Sequence, residues 1–204
     1  MKKKYLIFIV FIVSIIGTIS AQERLNNKGV YLKCGISNFS KTQNRDAIAG
    51  TVQSGLGARV GFFLEKMKEG AKIGWRSDVG LRFDRLRVHF PAQPEFNLPE
   101  TQASDFGLRA NLTNYILYRP IRALRIGLGI DPTFRVQNFR NINFNNWGYQ
   151  NFALGYVGNI AFDLNKKFTI EASYNKENIL PTIYKKQGAS LAAAQILLGV
   201  SYKF

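Results

Sequence analysis

The 204-residue chain carries one cysteine, Cys34, and one histidine, His89. A lone cysteine excludes an internal disulfide, and a single Cys with a single His excludes the clusters that hold structural zinc. Acidic residues are few, 13 against 28 Lys and Arg, and the formal net charge is +15. Apolar runs are short after the first twenty or so residues, whereas a helix crossing a bilayer needs about 20 apolar residues in a row. No later helical span is expected. Phosphate loops and calcium loops are absent too, so neither a cofactor nor a metal is expected. Catalysis by an activated serine or water needs a base held beside it. His89, in VHFPAQP, has no serine within two residues. No catalytic residue is assigned, and the chain is not read as an enzyme.

The first residues are set apart from the rest. Lys2, Lys3 and Lys4 precede an almost unbroken run of Leu, Ile, Phe and Val over 5–16, and small and polar residues follow over 17–22. This is the three-part layout of a secretory signal. Residues 1–21 are expected to be removed, with cleavage after Ala21 favoured over cleavage after Ser20, and residues 22–204 to form one domain. No cysteine stands just after the run, which argues against a lipoprotein. Loss of the three lysines leaves 25 basic against 13 acidic residues. In a cytoplasmic protein that excess would suggest nucleic acid. An exported chain meets instead the phosphates and carboxylates of lipopolysaccharide, and no nucleic-acid partner is expected.

From Val30 onward apolar residues recur at every second position, the period of a strand with two unlike faces. The pattern holds over eight segments, 30–36, 52–64, 73–84, 106–118, 124–136, 152–162, 168–174 and 192–204. Cys34 occupies an apolar position in the first of them and reads as a small hydrophobe. In the third the phase slips after Asp84, where Leu86, Val88 and Phe90 become the apolar set, and a bulge is expected near Asp84 and Arg85. Soluble sandwiches and lipocalin-like barrels alternate as well, so the composition of the polar face has to decide. Glycine stands there beside long charged side chains: Gly55, Gly57, Arg59 and Gly61; Gly74, Arg76, Asp78, Gly80 and Arg82; Gly127, Gly129 and Asp131. Small and long residues interdigitate in the narrow lumen of an eight-stranded barrel, and a wet surface has no need of so much glycine. The polar face is therefore read as the inside and the apolar face as the lipid side, the reverse of a soluble barrel.

Aromatic residues of the apolar face fall near the strand ends. Phe62, Trp75, Tyr118, Phe162, Phe168, Tyr202 and Phe204 mark one rim, and Phe83, Phe106, Phe134, Phe152 and Tyr174 the other, as rings do at the two interfaces of a bilayer. Short connections (65–71, 119–123, 163–167) alternate strictly with long ones (38–49, 89–101, 138–148, 176–189). The expected fold is all-β, an eight-stranded antiparallel up-and-down transmembrane β-barrel preceded by a signal peptide. Its short turns and both termini are expected to be periplasmic and its long loops extracellular.

The candidate functional residues are the charges of the inward face: Lys33, Arg59, Arg76, Asp78, Arg82, Asp84, Asp105, Arg109, Arg125, Asp131, Arg135 and Glu171. Arg59 is expected opposite Asp78 across a turn near Met67 and Lys68, and Arg109 opposite Asp131 across a turn near Pro120. An unpaired buried charge is costly, so these groups need partners. The set reads either as a salt-bridged plug or as a polar path for small solutes. The loop 137–150 interleaves Asn with Phe139, Phe144, Trp147 and Tyr149, which suits sugar or protein contacts, although Asn also favours turns. Lys41, Arg45, Arg140, Lys185 and Lys186 read either as a grip on lipopolysaccharide phosphates or as a solvated surface.

Three stretches, GVYLKCGISNFS (29–40), ANLTNYILYRPIRALRIGLGIDPTFRV (110–136) and ILLGVSYKF (196–204), resemble the PorT-like family of small outer-membrane barrels of Bacteroidota. The resemblance implies the barrel fold and an outer-membrane location, and the family includes secretion-associated members. It also implies that Val200, Tyr202 and Phe204 match the terminal signal read by the barrel-insertion machinery. The partners so implied are outer-membrane lipid and lipopolysaccharide, that machinery, and an envelope protein. The expected role is a structural or interaction component, beside a secretion or uptake complex. A narrow channel stands second and a lipid A-modifying enzyme third.

Overall fold

The computed structural model describes residues 26–41, 51–68, 70–92, 94–96, 99–137, 152–177 and 191–204. The proposed signal peptide, nearly all of loop 137–150, and the side chains of Lys41, Arg45, Arg140, Lys185 and Lys186 lie outside the described residues.

The described chain is strand almost throughout: β1 (Asn26–Lys41), β2 (Thr51–Gln53), β3 (Gly55–Lys66), β4 (Ile73–Phe90), β5 (Thr101–Ile121), β6 (Leu124–Gln137), β7 (Phe152–Asp163), β8 (Phe168–Glu177) and β9 (Leu191–Lys203). One 3₁₀ turn, Pro94–Phe96, interrupts the connection after β4. Every pairing is antiparallel, and apart from the short β2 each strand lies beside its neighbours in sequence. β9 pairs with β1 and β4 with β5, so the sheet closes on itself. β2 and β3 are two pieces of one stave, both paired with β4, and the barrel has eight staves. Closure leaves no long edge to pair with another chain. The short turns occupy 67–72, 122–123 and 164–167, at the end of the barrel where β1 begins and β9 finishes.

The alternation sorts the side chains as the composition implies. On β1, Leu32 and Ile36 are 57% and 54% exposed while Tyr31 and Lys33, on either side of Leu32, are 3% and 2% exposed. Leu56, Phe62, Val79, Leu128, Ile160, Leu198 and Val200 continue the exposed apolar surface around the barrel. A soluble protein rarely exposes so much contiguous apolar area, and a charged interior within an apolar exterior is the polarity of a barrel standing in lipid. Cys34 is on this outer surface, as its apolar position requires.

β4 contains no bulge near Asp84 or Arg85. It pairs with β5 residue for residue from Ile73–Tyr118 to Phe90–Thr101. The phase holds and the chemistry of the two faces changes instead: Leu86 and Val88 stay inward, fully buried, while Arg87 points out. The irregularity sits on the neighbouring stave. Gly57 pairs with Asp84 but Gln53 with Arg87, so that stave holds one residue more around Ser54. Leu86 and Val88 pack with Phe39, Val52, Phe90 and Ala103, and this cluster caps the lumen at the long-loop end. Beyond the apolar belt the outer face can carry cations and the inner face can close on apolar groups.

Glycine makes room for one long side chain in particular. Gly61 and Gly80 are cross-strand partners, and the Tyr31 ring lies over both to bring its hydroxyl within 3.4 Å of Asn111 Nδ2. A Cβ at Gly80 would stand 2.5 Å from that hydroxyl and one at Gly61 2.8 Å. Gly80→Val forces side chain and backbone apart in a packed lumen. The added atoms meet Val60 O as well as the Tyr31 hydroxyl. The change should cost about 1–3 kcal/mol of stability, measured as a lower midpoint for loss of the heat-modifiable band; an unchanged midpoint would contradict the close packing at this position.

Candidate functional site in the barrel lumen

The inward charges form tiers along the lumen. Nearest the short turns, Arg125 reaches Glu65 at 2.6 Å and Asp163 at 2.6 Å, and Lys203 also meets Asp163 at 2.7 Å. In the next tier Glu171 is shared by Arg76 at 2.7 Å and Lys33 at 2.6 Å, while Arg76 also holds Asp78 at 2.6 Å. The Arg76 guanidinium lies 4.4 Å from the Phe63 ring centroid, a cation–π contact that adds to the pairing. Arg59 meets Asp131 at 2.7 Å and donates to Gln195 Oε1 at 2.7 Å. Closest to the apolar cap, Arg82 binds Asp84 and Glu177, each at 2.8 Å, and Arg109 shares Glu177.

The carboxylates are further satisfied by neutral donors. Ser201 donates to Glu171 at 2.6 Å, Thr113 to Asp131 at 2.5 Å, and Gln195 to Asp84 at 2.8 Å; Ser37 donates to Asp84 as well. Seven buried cations (Lys33, Arg59, Arg76, Arg82, Arg109, Arg125, Lys203) face seven buried acids (Glu65, Asp78, Asp84, Asp105, Asp131, Glu171, Glu177) among the described residues. Asp163, partly buried, adds an eighth inward acid through Arg125 and Lys203. The described interior carries no excess of cations, so the basic excess of the chain lies outside it.

The pairs are not those expected from the hairpins. Arg59 stands opposite Arg82 and Asp78 opposite Phe63. Arg109 stands opposite Arg135. The first turn closes at Ala71, whose N–H donates to Lys68 O at 3.0 Å, with Gly70 at φ 73°. Glycine takes that left-handed conformation without steric cost, and this moves the turn C-terminal to Met67 and Lys68. The second turn is formed by Arg122 and Ala123; Pro120, lacking an N–H, falls at a register irregularity inside β5.

With these registers Lys33, Arg59, Arg82, Arg109 and Arg135 become successive partners on five neighbouring strands. The inward four of them take acids from across the lumen or along their own strand. Arg135 ends the row exposed at the long-loop mouth. Asp105 is buried near that mouth and accepts the Phe106 N–H at 2.7 Å.

Glu65, Asp163, Glu177 and Lys203 were not among the expected lumen charges. Alternation could have found all four: Thr169, Glu171, Ser173 and Asn175 lead by twos to Glu177, Ser201 leads to Lys203, Arg59, Gly61 and Phe63 lead to Glu65, and Gly155 and Asn159 lead to Asp163. Glu177 sits where β8 stays paired past its last apolar residue. Val200, Tyr202 and Phe204 lie outward on and just after β9; the Tyr202 ring is 5.1 Å from Phe168 and 6.0 Å from Phe204, centroid to centroid. At the other rim Phe134 and Phe152 are 5.1 Å apart. His89 lies within β4 rather than in a loop, its Nδ1 3.5 Å from Glu100.

No family model matches the chain, and no curated protein sequence matches it. Solved structures do. Neisserial surface protein A is 12% identical over 87% of this chain and 97% of its own, with a TM-score of 0.50. Ail, the attachment invasion locus protein of Yersinia pestis, solved with the heparin analogue sucrose octasulfate, is 14% identical over 88% of this chain and 99% of its own, with a TM-score of 0.46. The likeness to the Neisserial protein is one of fold, and it agrees with the barrel built up above.

Glu171→Ala leaves Lys33 without its acid and Arg76 with half of its pairing. Removing one partner of a buried ion pair costs about 3–5 kcal/mol. Urea unfolding in detergent micelles should show a loss of that order; a change below about 1 kcal/mol would contradict the pairing of Glu171 with both cations.

Proposed function

We propose that the chain is an outer-membrane barrel with a closed lumen, acting as a structural or interaction component of the envelope rather than as a conduit. The observation that carries this is the filled lumen: seven buried cations, each within hydrogen-bond distance of an inward acid, under an apolar cap. A second apolar cluster, Met67, Tyr115, Leu117 and Val157, packs beneath the turn after β3. A solute path needs a continuous water-filled opening, and a lumen packed with ion-paired side chains speaks against one. The short turns and termini then face the periplasm and the long loops the exterior. Arg85 and Arg87, on the outer face beyond the apolar belt, support contact with lipopolysaccharide phosphates. The strand motifs resembling PorT-like proteins support a place beside a secretion or uptake complex, and affinity purification from native outer membranes would identify the partner.

Purified protein in planar bilayers should be electrically silent. Steady single-channel steps would overturn the closed-lumen reading.

Val200, Tyr202 and Phe204 serve in this proposal as the signal for barrel insertion. β9 must find β1 to close the sheet, and its outward aromatic rim presents that strand to the machinery. Changing Tyr202 and Phe204 together to Ala should lower the folded, heat-modifiable fraction in outer membranes several-fold while export across the inner membrane stays intact. A normal folded fraction would refute it.

A further inference from the structure

The described lumen holds no excess of cations, and the basic excess of the chain lies elsewhere. Much of it collects at the short-turn end. The three short turns carry Lys68, Lys72, Arg122, Lys166 and Lys167 against Glu69 as their one acid. Lys28, on the outer face of β1, adds a sixth cation at the same level, because the Phe204 N–H donates to Lys28 O at 3.0 Å. Further backbone bonds tie the level together: Arg119 N–H to Lys72 O at 2.7 Å and Lys203 N–H to Lys167 O at 2.8 Å. The described acids nearest this end, Glu65 and Asp163, are turned inward and engaged with Arg125 and Lys203. Lys28, Lys68, Lys72, Arg122, Lys166 and Lys167 are all exposed. The result is a cationic collar.

We propose that this collar binds the phosphates of anionic phospholipids in the leaflet at the short-turn end. The inference rests on the barrel standing in a bilayer and names which lipid that end selects. The collar is built on a greasy rim: Ile73 follows Lys72, Ile121 precedes Arg122, and Phe168 follows Lys167, and these apolar neighbours are 67%, 60% and 47% exposed. A surface made for an acidic protein or a glycan has no reason to interleave cations with exposed aliphatic and aromatic groups. A lipid interface asks for both, with the hydrocarbon taking the rings and the phosphate layer taking the ammonium groups one or two residues further out. Lys167 shows the geometry, its Nζ 6.0 Å from the Tyr202 ring centroid on the outer face.

Trp75 provides a probe at this end, since it pairs with Lys66 and Ile116 and lies next but one to Ile73. With Trp147 changed to Phe, Trp75 is the sole tryptophan of the chain. Quenching of its fluorescence by brominated phosphatidylglycerol, against brominated phosphatidylcholine in mixed vesicles, reads the relative affinity of the surrounding lipid. One lysine beside an anionic surface is worth about a five-fold preference. The chain should therefore favour phosphatidylglycerol by about five-fold or more at low salt. In 1 M salt, and when the six cations are changed together to Gln, the ratio should fall to about one. Equal quenching by the two lipids in the unchanged collar, or a preference that survives the six changes, would overturn the proposal. A chain that inserts and shows no preference loses only this inference, whereas one that fails to insert into either vesicle loses the membrane reading as well.

Discussion

Along the sheet, cation faces cation. Lys33, Arg59, Arg82 and Arg109 are direct partners on four adjacent strands of the sheet, all inward, and their acids stand on other staves or two residues further along the same strand. Like charges set opposite one another oppose strand pairing, so this row gains nothing electrostatic from its own cross-strand neighbours. The compensation comes when β6 and β8 curl round and bring Asp131, Glu171 and Glu177 across the lumen. Because an unmatched buried charge costs several kcal/mol, the open sheet and the closed barrel differ sharply in energy. Local pairing and global closure are thereby made to depend on each other.

The remaining features follow from that requirement. A lumen filled with guanidinium groups has little space, so glycine lies where Tyr31 crosses the wall and neutral donors such as Ser201, Thr113 and Gln195 complete the carboxylates. Beyond the upper tier the inward face of β4 turns apolar at Leu86 and Val88, at the point where its outward face turns from apolar to basic. Most of the described acids lie inside, and the described outer residues near both ends are mostly basic. An apolar wall between cationic rims is suited to a membrane with anionic groups at its surfaces.

Much of the architecture could be read before any coordinates. A period of two, kept through eight segments, is insensitive to where each turn falls, and glycine beside arginine told the inner face from the outer. Register is a different matter. It depends on the turn to the residue, and moving the first turn from Met67 and Lys68 to Gly70 and Ala71 exchanged Asp78 for Arg82 as the partner of Arg59. The ion pairs were illegible for a deeper reason: they join strands distant in sequence, and their choice is made by the curvature of the whole barrel. Leu86 and Val88 misled because an apolar residue on an inward position looks like a slip of phase when it is a cap. Glu177 was assigned to a loop because β8 stays paired past its last apolar residue, Tyr174.

The central claim is that the charged face is inside and the apolar face meets hydrocarbon, and the chain carries its own reporter. Cys34 is its one cysteine, on the outer face of β1 between Leu32 and Ile36, and its partners are Ala58 and Leu198 near the middle of their strands. A nitroxide attached to Cys34 of the otherwise unaltered protein in liposomes reads its surroundings by collision with dissolved oxygen or with a water-soluble nickel complex. The account predicts strong relaxation by oxygen and almost none by nickel. Strong relaxation by nickel would place this face in water and contradict it.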